Sequence, residues 1–150
     1  MLYETISRDM IQAMKAKDKE TLSTLRLLKS AIDLYKINNK LDRNADASDE
    51  IVIDVVVKQV KTHKESIEEF KKANRQDLID SLEKEITLLS KYLPEQMSTE
   101  KITEEIDKVF DKLKPTNVKE MGLIMKELAP ILKGKADMKV VNSIIQEKLK

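Results

Sequence analysis

The sequence predicts an all-α protein made of two small helical domains, a four-helix N-terminal unit and a three-helix C-terminal unit. Three observations predict it. Apolar residues recur at steps of three and four along nearly all of the 150 residues, the period that places them on one face of a helix. Helix breakers are scarce, with only two glycines and three prolines. Aromatic residues make up 3% of the chain and tryptophan is absent, so the core must be built from Leu, Ile, Val and Met.

The elements follow in order. Leu2, Ile6, Met10, Ala13 and Met14 form a first stripe. Asp18 is placed to cap a second helix, with Glu20 in its first turn, and Leu22, Leu25, Leu28, Ile32 and Tyr35 form its stripe. The polar segment from Leu41 to Asp49 breaks the period and is expected to be a loop. Ser48 and Asp49 open a third helix whose stripe is Val52, Val56, Val60, His63, Ile67 and Phe70. Its β-branched opening, Ile51 to Val57, would suit a strand. Nothing nearby could pair with such a strand, and the helical spacing continues for several turns, so a helix is expected. Asn74 is placed to cap a fourth helix with the stripe Leu78, Leu82, Ile86, Leu89 and Leu93, which Pro94 should end. The segment Pro94 to Ser98 is the expected boundary, giving domains 1–94 and 95–150. Ser98 caps a fifth helix carrying Ile102, Ile106, Val109, Phe110 and Leu113. After the turn at Pro115, Asn117 and Glu120 resemble a capping box for a sixth helix with Val118, Met121, Met125, Leu128 and Leu132. Pro130 should kink that helix or close it early, and Gly134 suits a left-handed C-terminal position. Asp137 caps a seventh helix through Val140, Val141, Ile144, Ile145 and Leu149.

Composition excludes several chemistries. With no cysteine there is no disulfide, thiol nucleophile or cysteine metal site. The one histidine, His63, cannot assemble a zinc site. It lies on an apolar stripe, so a packed structural role is expected rather than that of a base. Two separated glycines make no phosphate-cradling loop. Adjacent carboxylates such as Glu68-Glu69 and Glu104-Glu105 point to different helix faces. No catalytic residue, metal ligand or cofactor site is therefore expected. The N-terminus carries Glu4, Arg8 and Asp9 and does not read as a signal peptide, and no segment approaches the roughly 20 apolar residues of a membrane helix. A cytoplasmic protein without membrane association is expected.

The charge balance is nearly neutral, 28 basic against 27 acidic residues. From Lys114 to Lys139, however, six lysines face Glu120, Glu127 and Asp137, a net of +3. Both glycines, Gly122 and Gly134, fall in this stretch with Pro130 between them. A helix interior that tolerates a glycine loses about 1 kcal/mol relative to alanine. The segment is thus either a close-packed helix crossing or a surface that a partner approaches. Lys126, Lys133, Lys135 and Lys139 surround a corner where one helix ends and the next begins at Asp137. A helix N-terminus beside lysines suits phosphate, while a plain helix stop with ordinary surface lysines explains the same residues.

The run Met121-Gly122-x-x-Met125-Lys126-x-Leu128-x-Pro130-x-Leu132-Lys133-Gly134-Lys135-Ala136-Asp137-x-Lys139-x-Val141-Asn142 resembles the signature of the GatB/YqeY family. Met10 to Lys19, Leu25-Arg26-x-Leu28-Lys29, Glu65-Ser66-Ile67, Arg75-Gln76-Asp77-Leu78 and Tyr92-Leu93-Pro94-Glu95-Gln96 also resemble stand-alone YqeY proteins. Thr62-His63 departs from the Gln-Arg expected of relatives, which argues against a basic patch on the third helix. The resemblance implies a C-terminal domain similar to the tail of the B subunit of tRNA-dependent amidotransferases, which grips the tRNA elbow. It implies tRNA as partner, with an aminoacyl-tRNA-processing protein as a further candidate, and no DNA. Lys126, Lys133, Lys135, Lys139 and Asn142 are the expected RNA contacts, shaped by Gly122, Pro130, Gly134 and Asp137. The family link to carbon–nitrogen ligase activity with glutamine as amide donor would operate only through a partner, because this chain carries no residues for it. The alternative is a helical adaptor for proteins that does not touch RNA.

Overall fold

The computed structural model describes residues 1–42 and 44–149. Among them are seven α-helices, one 3-10 turn and no strand, an all-α fold. The chain divides into two compact units, Met1–Leu93 and Pro94–Lys150, each with its own core.

The first unit comprises α1 (Leu2–Lys15), α2 (Lys19–Asn38), α3 (Asp49–Lys72) and α4 (Gln76–Ser90). Helices α1 and α2 pack together, as do α3 and α4, and α2 packs on α3. Ile6, Leu25, Leu28, Ile32, Val52 and Val56 are completely buried at the centre. The β-branched run Ile51–Val57 lies inside α3, and Val52, Val55 and Val56 face the core. Tertiary burial on one helical face thus overrides local strand preference. Ser48 starts α3 by accepting from the Ile51 amide at 3.3 Å. Asp18 starts α2, accepting from the Thr21 amide at 3.2 Å and its hydroxyl at 2.6 Å. These two bonds, the hydroxyl one foremost, hold the Asp18 carboxyl below its ordinary value. Helix α1 has no side-chain cap of its own. Asp49, opening α3, accepts from the Leu2 amide at 2.8 Å and meets one of the donors that α1 leaves open.

Asn74 does not cap α4. It takes φ 54°, and Arg75 precedes the helix without a side-chain cap. The reason is the end of α3. The Arg75 amide donates to the Phe70 carbonyl at 3.0 Å and the Asn74 amide to Lys71 at 3.2 Å, a Schellman closure that needs a left-handed residue at position 74. The same closure ends α1 at Lys17 (φ 56°) and α2 at Lys40 (φ 55°). There Asp18 donates to Ala13 at 2.9 Å and Leu41 to Lys36 at 2.8 Å. A non-glycine residue in this conformation carries a cost of roughly 1–2 kcal/mol. Lys17→Gly and Lys40→Gly are therefore expected to raise stability by about 0.5–1 kcal/mol each, after the larger chain entropy of glycine is deducted. Urea unfolding of the single and double variants checks this, and a loss of stability in both would refute it.

The second unit comprises α5 (Thr99–Leu113), a 3-10 turn (Val118–Glu120), α6 (Met121–Leu132) and α7 (Met138–Leu149). Ile102, Ile106, Ile124, Leu128, Leu132, Val141 and Ile145 form its core. Ser98 caps α5 by accepting from the Lys101 amide at 3.3 Å. The pair Asn117 and Glu120 differs from a capping box. Asn117 accepts from the Lys119 amide at 2.9 Å, and Glu120 reaches back one residue further, to the Thr116 amide at 3.0 Å. The tighter 3-10 turn moves the register.

Candidate nucleic-acid interface

The corner between α6 and α7 is built from the inside. Helix α6 buries Ile124, Leu128 and Leu132 completely and turns its other side to solvent. Of the two outcomes expected at Pro130, a kink or early closure, early closure does not occur, for α6 continues to Leu132 with the proline inside it. A proline brings no amide for the carbonyl four residues back, here that of Lys126. Pro130 is exposed, so that carbonyl lies on the side where water can meet it. The helix stops at Lys133, whose amide donates to Ala129 at 2.9 Å, and Gly134 follows at φ 73°. That left-handed turn lets the Lys135 and Ala136 amides reach the Leu132 carbonyl at 2.9 and 3.1 Å.

Two further bonds back the corner. Gln96 donates from Nε2 to the Gly134 carbonyl at 2.6 Å, and the Met97 amide donates to the Lys135 carbonyl at 2.8 Å. Gly134 is buried as a result. Its role is the turn itself, and it offers no surface for a backbone to approach. The start of α7 is likewise engaged. Asp137 accepts from the Lys139 amide at 2.9 Å through its side chain and from the Val141 amide at 3.1 Å through its carbonyl. A carboxylate already sits where a helix end would attract an anion, so an incoming phosphate would rely on the lysines rather than on α7's amides.

Gly122, Lys126, Pro130 and Lys133 are spaced by four, four and three residues, share the outer face of α6 and are all exposed. A side chain added at Gly122 would meet no atom within 4 Å. No helix crosses there, which decides between the two explanations of this glycine: it lies on an open surface. Lys139 is exposed on the first turn of α7, Lys135 is half-exposed, and Asn142, one turn further, is half-buried. Lys126, Lys135 and Lys139 take part in no ion pair among the described residues, whereas Lys112 bridges to Glu127 at 3.0 Å and Lys148 pairs with Asp107. The sequence stripes pass over Leu123 and Ile131, and they place Val118 and Val140 inward, yet all four face solvent. Val118 is 58% exposed and Leu123 60%.

Elsewhere the chemistry is structural. His63 Nε2 lies 2.6 Å from Glu85 Oε2 and ties α3 to α4. Among the described residues no group of three or more His, Asp or Glu side chains could hold a metal, and no helix is long and apolar enough to cross a membrane. The buried Tyr92 hydroxyl donates to Asp9 at 2.5 Å beside a mixed polar and apolar cleft of about 310 Å³. Burial first, then the Asp9 bond, pushes the Tyr92 phenol well up, so it stays protonated and serves as a donor.

Residues 3–149 match the family described as Yqey-like protein. The chain belongs to that family. It is 33% identical over 97 residues to an uncharacterized protein of Schizosaccharomyces pombe, covering 65% of this chain and 76% of that protein. It is 28% identical over 145 residues to the protein of Pyrenophora tritici-repentis named Altered inheritance of mitochondria protein 41, mitochondrial, covering 95% of this chain and 77% of the relative. The Lachancea thermotolerans protein of the same name is 33% identical over 115 residues, 75% of this chain and 59% of the relative. These names overturn the cytoplasmic location expected from the sequence and point to the mitochondrion. The features behind that expectation, the lack of a signal-peptide pattern and of long apolar runs, report secretion and membrane insertion, and neither distinguishes the two compartments.

Proposed function

We propose that the second unit binds RNA, with transfer RNA as the ligand class, and that the chain is an accessory protein in mitochondrial translation rather than a catalyst acting alone. The observation that carries this is the outer face of α6, where the open position at Gly122 is followed on the same side by Lys126 and, just past the helix end, Lys133. Lys135, Lys139 and Asn142 extend the polar surface around the corner. A flat strip lets a sugar-phosphate backbone approach, and the lysines neutralise it. Residues 114–150 hold no aromatic side chain to stack on a base, so recognition is of shape and phosphate. Any amide-transfer chemistry linked to the family belongs to a partner that handles the aminoacyl end.

Fluorescence titration of labelled tRNA tests this. Four phosphate contacts predict a loss of about a hundredfold in affinity between 50 and 200 mM salt. Lys126→Glu with Lys139→Glu is expected to weaken binding at least tenfold with helicity unchanged, both residues being exposed. Gly122→Leu separates approach from folding. It should stabilise α6, where leucine is the better helix former, yet lower RNA affinity by filling the strip. No binding at 50 mM salt, or affinity indifferent to all three substitutions, ends the proposal. The exposed Val118 and Leu123 favour a second reading, a docking face for a protein. A complex captured on the intact chain that survives ribonuclease and is lost on Leu123→Lys would establish that alternative.

A further inference from the structure

Helix α2 is apolar on two sides. One side, with Leu25, Leu28 and Ile32, is completely buried in the first unit. The other follows alternating steps of four and three residues through Ser23, Leu27, Ser30, Leu34 and Ile37, and every one of these is exposed. Leu27 is 62% exposed, Leu34 56% and Ile37 46%. That spacing is the seam of a two-helix coiled coil, here without its second helix. A contiguous aliphatic seam open to water marks an interaction surface. The geometry points to a homodimer in which α2 packs antiparallel against α2 of a second copy. This inference rests on the first unit and is independent of RNA binding by the second.

Three features favour a second copy over another occupant. The seam alternates small and large residues, and an antiparallel register centred near residue 29 sets Leu27 against Ser30 of the second copy and Leu34 against its Ser23. Around those serines the surface already holds a hollow of about 540 Å³, lined by Lys19, Leu22, Ser23, Arg26, Leu27 and Ser30. Leu27 and Leu34 of the second copy enter it together. Charge completes the match. Arg26 and Asp33 flank the seam on one side, both exposed and neither in an ion pair among the described residues. The same register brings Arg26 to Asp33 of the second copy, and two-fold symmetry repeats the pair. A parallel register would set Arg26 against Ala31 and Asp33 against Asn38, with leucine on leucine and serine on serine. Self-complementarity therefore holds in one orientation only. A 20-residue helix is about 30 Å long, so the contact falls at the small end of specific interfaces. A dissociation constant on the order of 10 μM is expected.

Sedimentation equilibrium of the full chain from 1 to 200 μM reads the association. The wild-type chain should pass from monomer to dimer, Leu27→Lys with Leu34→Lys should remain monomeric with unchanged circular dichroism, and Arg26→Glu should weaken the dimer about tenfold. Adding Asp33→Arg to Arg26→Glu should restore it. Because the chain has no cysteine, single cysteines report orientation with a short bifunctional maleimide. Ser30→Cys should crosslink to itself. Ser23→Cys should not, since the two copies' residues lie about 16 Å apart along the helix axis. A chain that stays monomeric throughout, a dimer that survives the double lysine substitution, or efficient crosslinking through Ser23→Cys would each overturn the inference. The first of these outcomes would leave the seam to a different protein.

Discussion

Leu128→Ala is expected to cost the second unit about 3 kcal/mol and to lower its melting temperature by more than 10 °C. Leu128 is completely buried among Ile106, Ile124, Leu132, Val141 and Ile145. Removing a buried leucine side chain loses its transfer free energy and leaves a cavity, and together these range over about 2–5 kcal/mol. The unit formed by Pro94–Lys150 is small, and a domain of that size buries only about 60% of its unfolded surface. It has little stability in reserve, and each kcal/mol moves a small domain's midpoint by about 4–8 °C. The first unit draws on a separate core, with Leu25, Leu28 and Val56 at its centre. Hydrogen exchange should therefore rise across α5, α6 and α7 while α2 and α3 keep their protection. Leu123→Ala, at a position 60% exposed on the same helix, is the control and should change stability by less than about 0.5 kcal/mol. Equal effects of the two substitutions would contradict the burial on which the prediction rests.

Lys36→Ala is expected to destabilise the first unit by about 3 kcal/mol, and Lys36→Met by about 1 kcal/mol. Lys36 is 4% exposed, far below what a lysine usually shows. Its aliphatic stem lies in the last turn of α2, and its Nζ donates to the Ala45 carbonyl and sits 5.1 Å from the centre of the Tyr3 ring. The side chain thus fastens the segment that carries the buried Ala47 onto the helix pair. Lys29 approaches the same ring at 5.5 Å. Burial, then Asp33 and Asp46, raises the Tyr3 phenol above its ordinary value, so the ring stays neutral beneath the two ammonium groups. Alanine removes roughly 2 kcal/mol of buried stem and roughly 1 kcal/mol of cation–π attraction. Methionine keeps most of the stem and forfeits the charge. Urea unfolding of both variants, with exchange of the Asn44 to Ser48 amides, tests this. If alanine and methionine prove equivalent, the stem contributes nothing and the account is wrong.

Much of the helical plan could be read from residues. Asp18, Ser48, Ser98 and Asp137 each accept from a backbone amide two or three residues on, and the Ile51–Val57 run is helical. These are short-range matters, where a side chain meets the backbone within one turn. Asn74 is the instructive failure. Its type suits a cap, but the end of α3 claimed it first for a left-handed turn. Lysines at 17 and 40 adopt the same conformation, and no composition rule marks lysine for it. Pro130 lies inside α6 rather than closing it, since its ring is tolerated where the freed carbonyl faces water.

The candidate site was legible as a cluster of lysines and glycines, though not as a surface. Both glycines read in the sequence as shaping the surface, and only Gly134 also as a left-handed helix stop, which its φ of 73° bears out. The fold buries Gly134 under Gln96 and leaves Gly122 open. The cap at Asp137 was legible in the sequence, and it occupies the helix start that a phosphate would otherwise use. The outward seam of α2 was hidden behind its inward one, because two apolar stripes on one helix read as a single hydrophobic segment until burial separates them.

The amino-acid order by itself determined that the chain is helical, where most of its helices begin, and which family it joins, because spacing, capping and motif act through neighbours along the chain. Which glycine is open, which lysine is buried and which leucines face water were decided only by tertiary packing. Those properties depend on what other helices leave uncovered, and residues far apart in sequence settle them together.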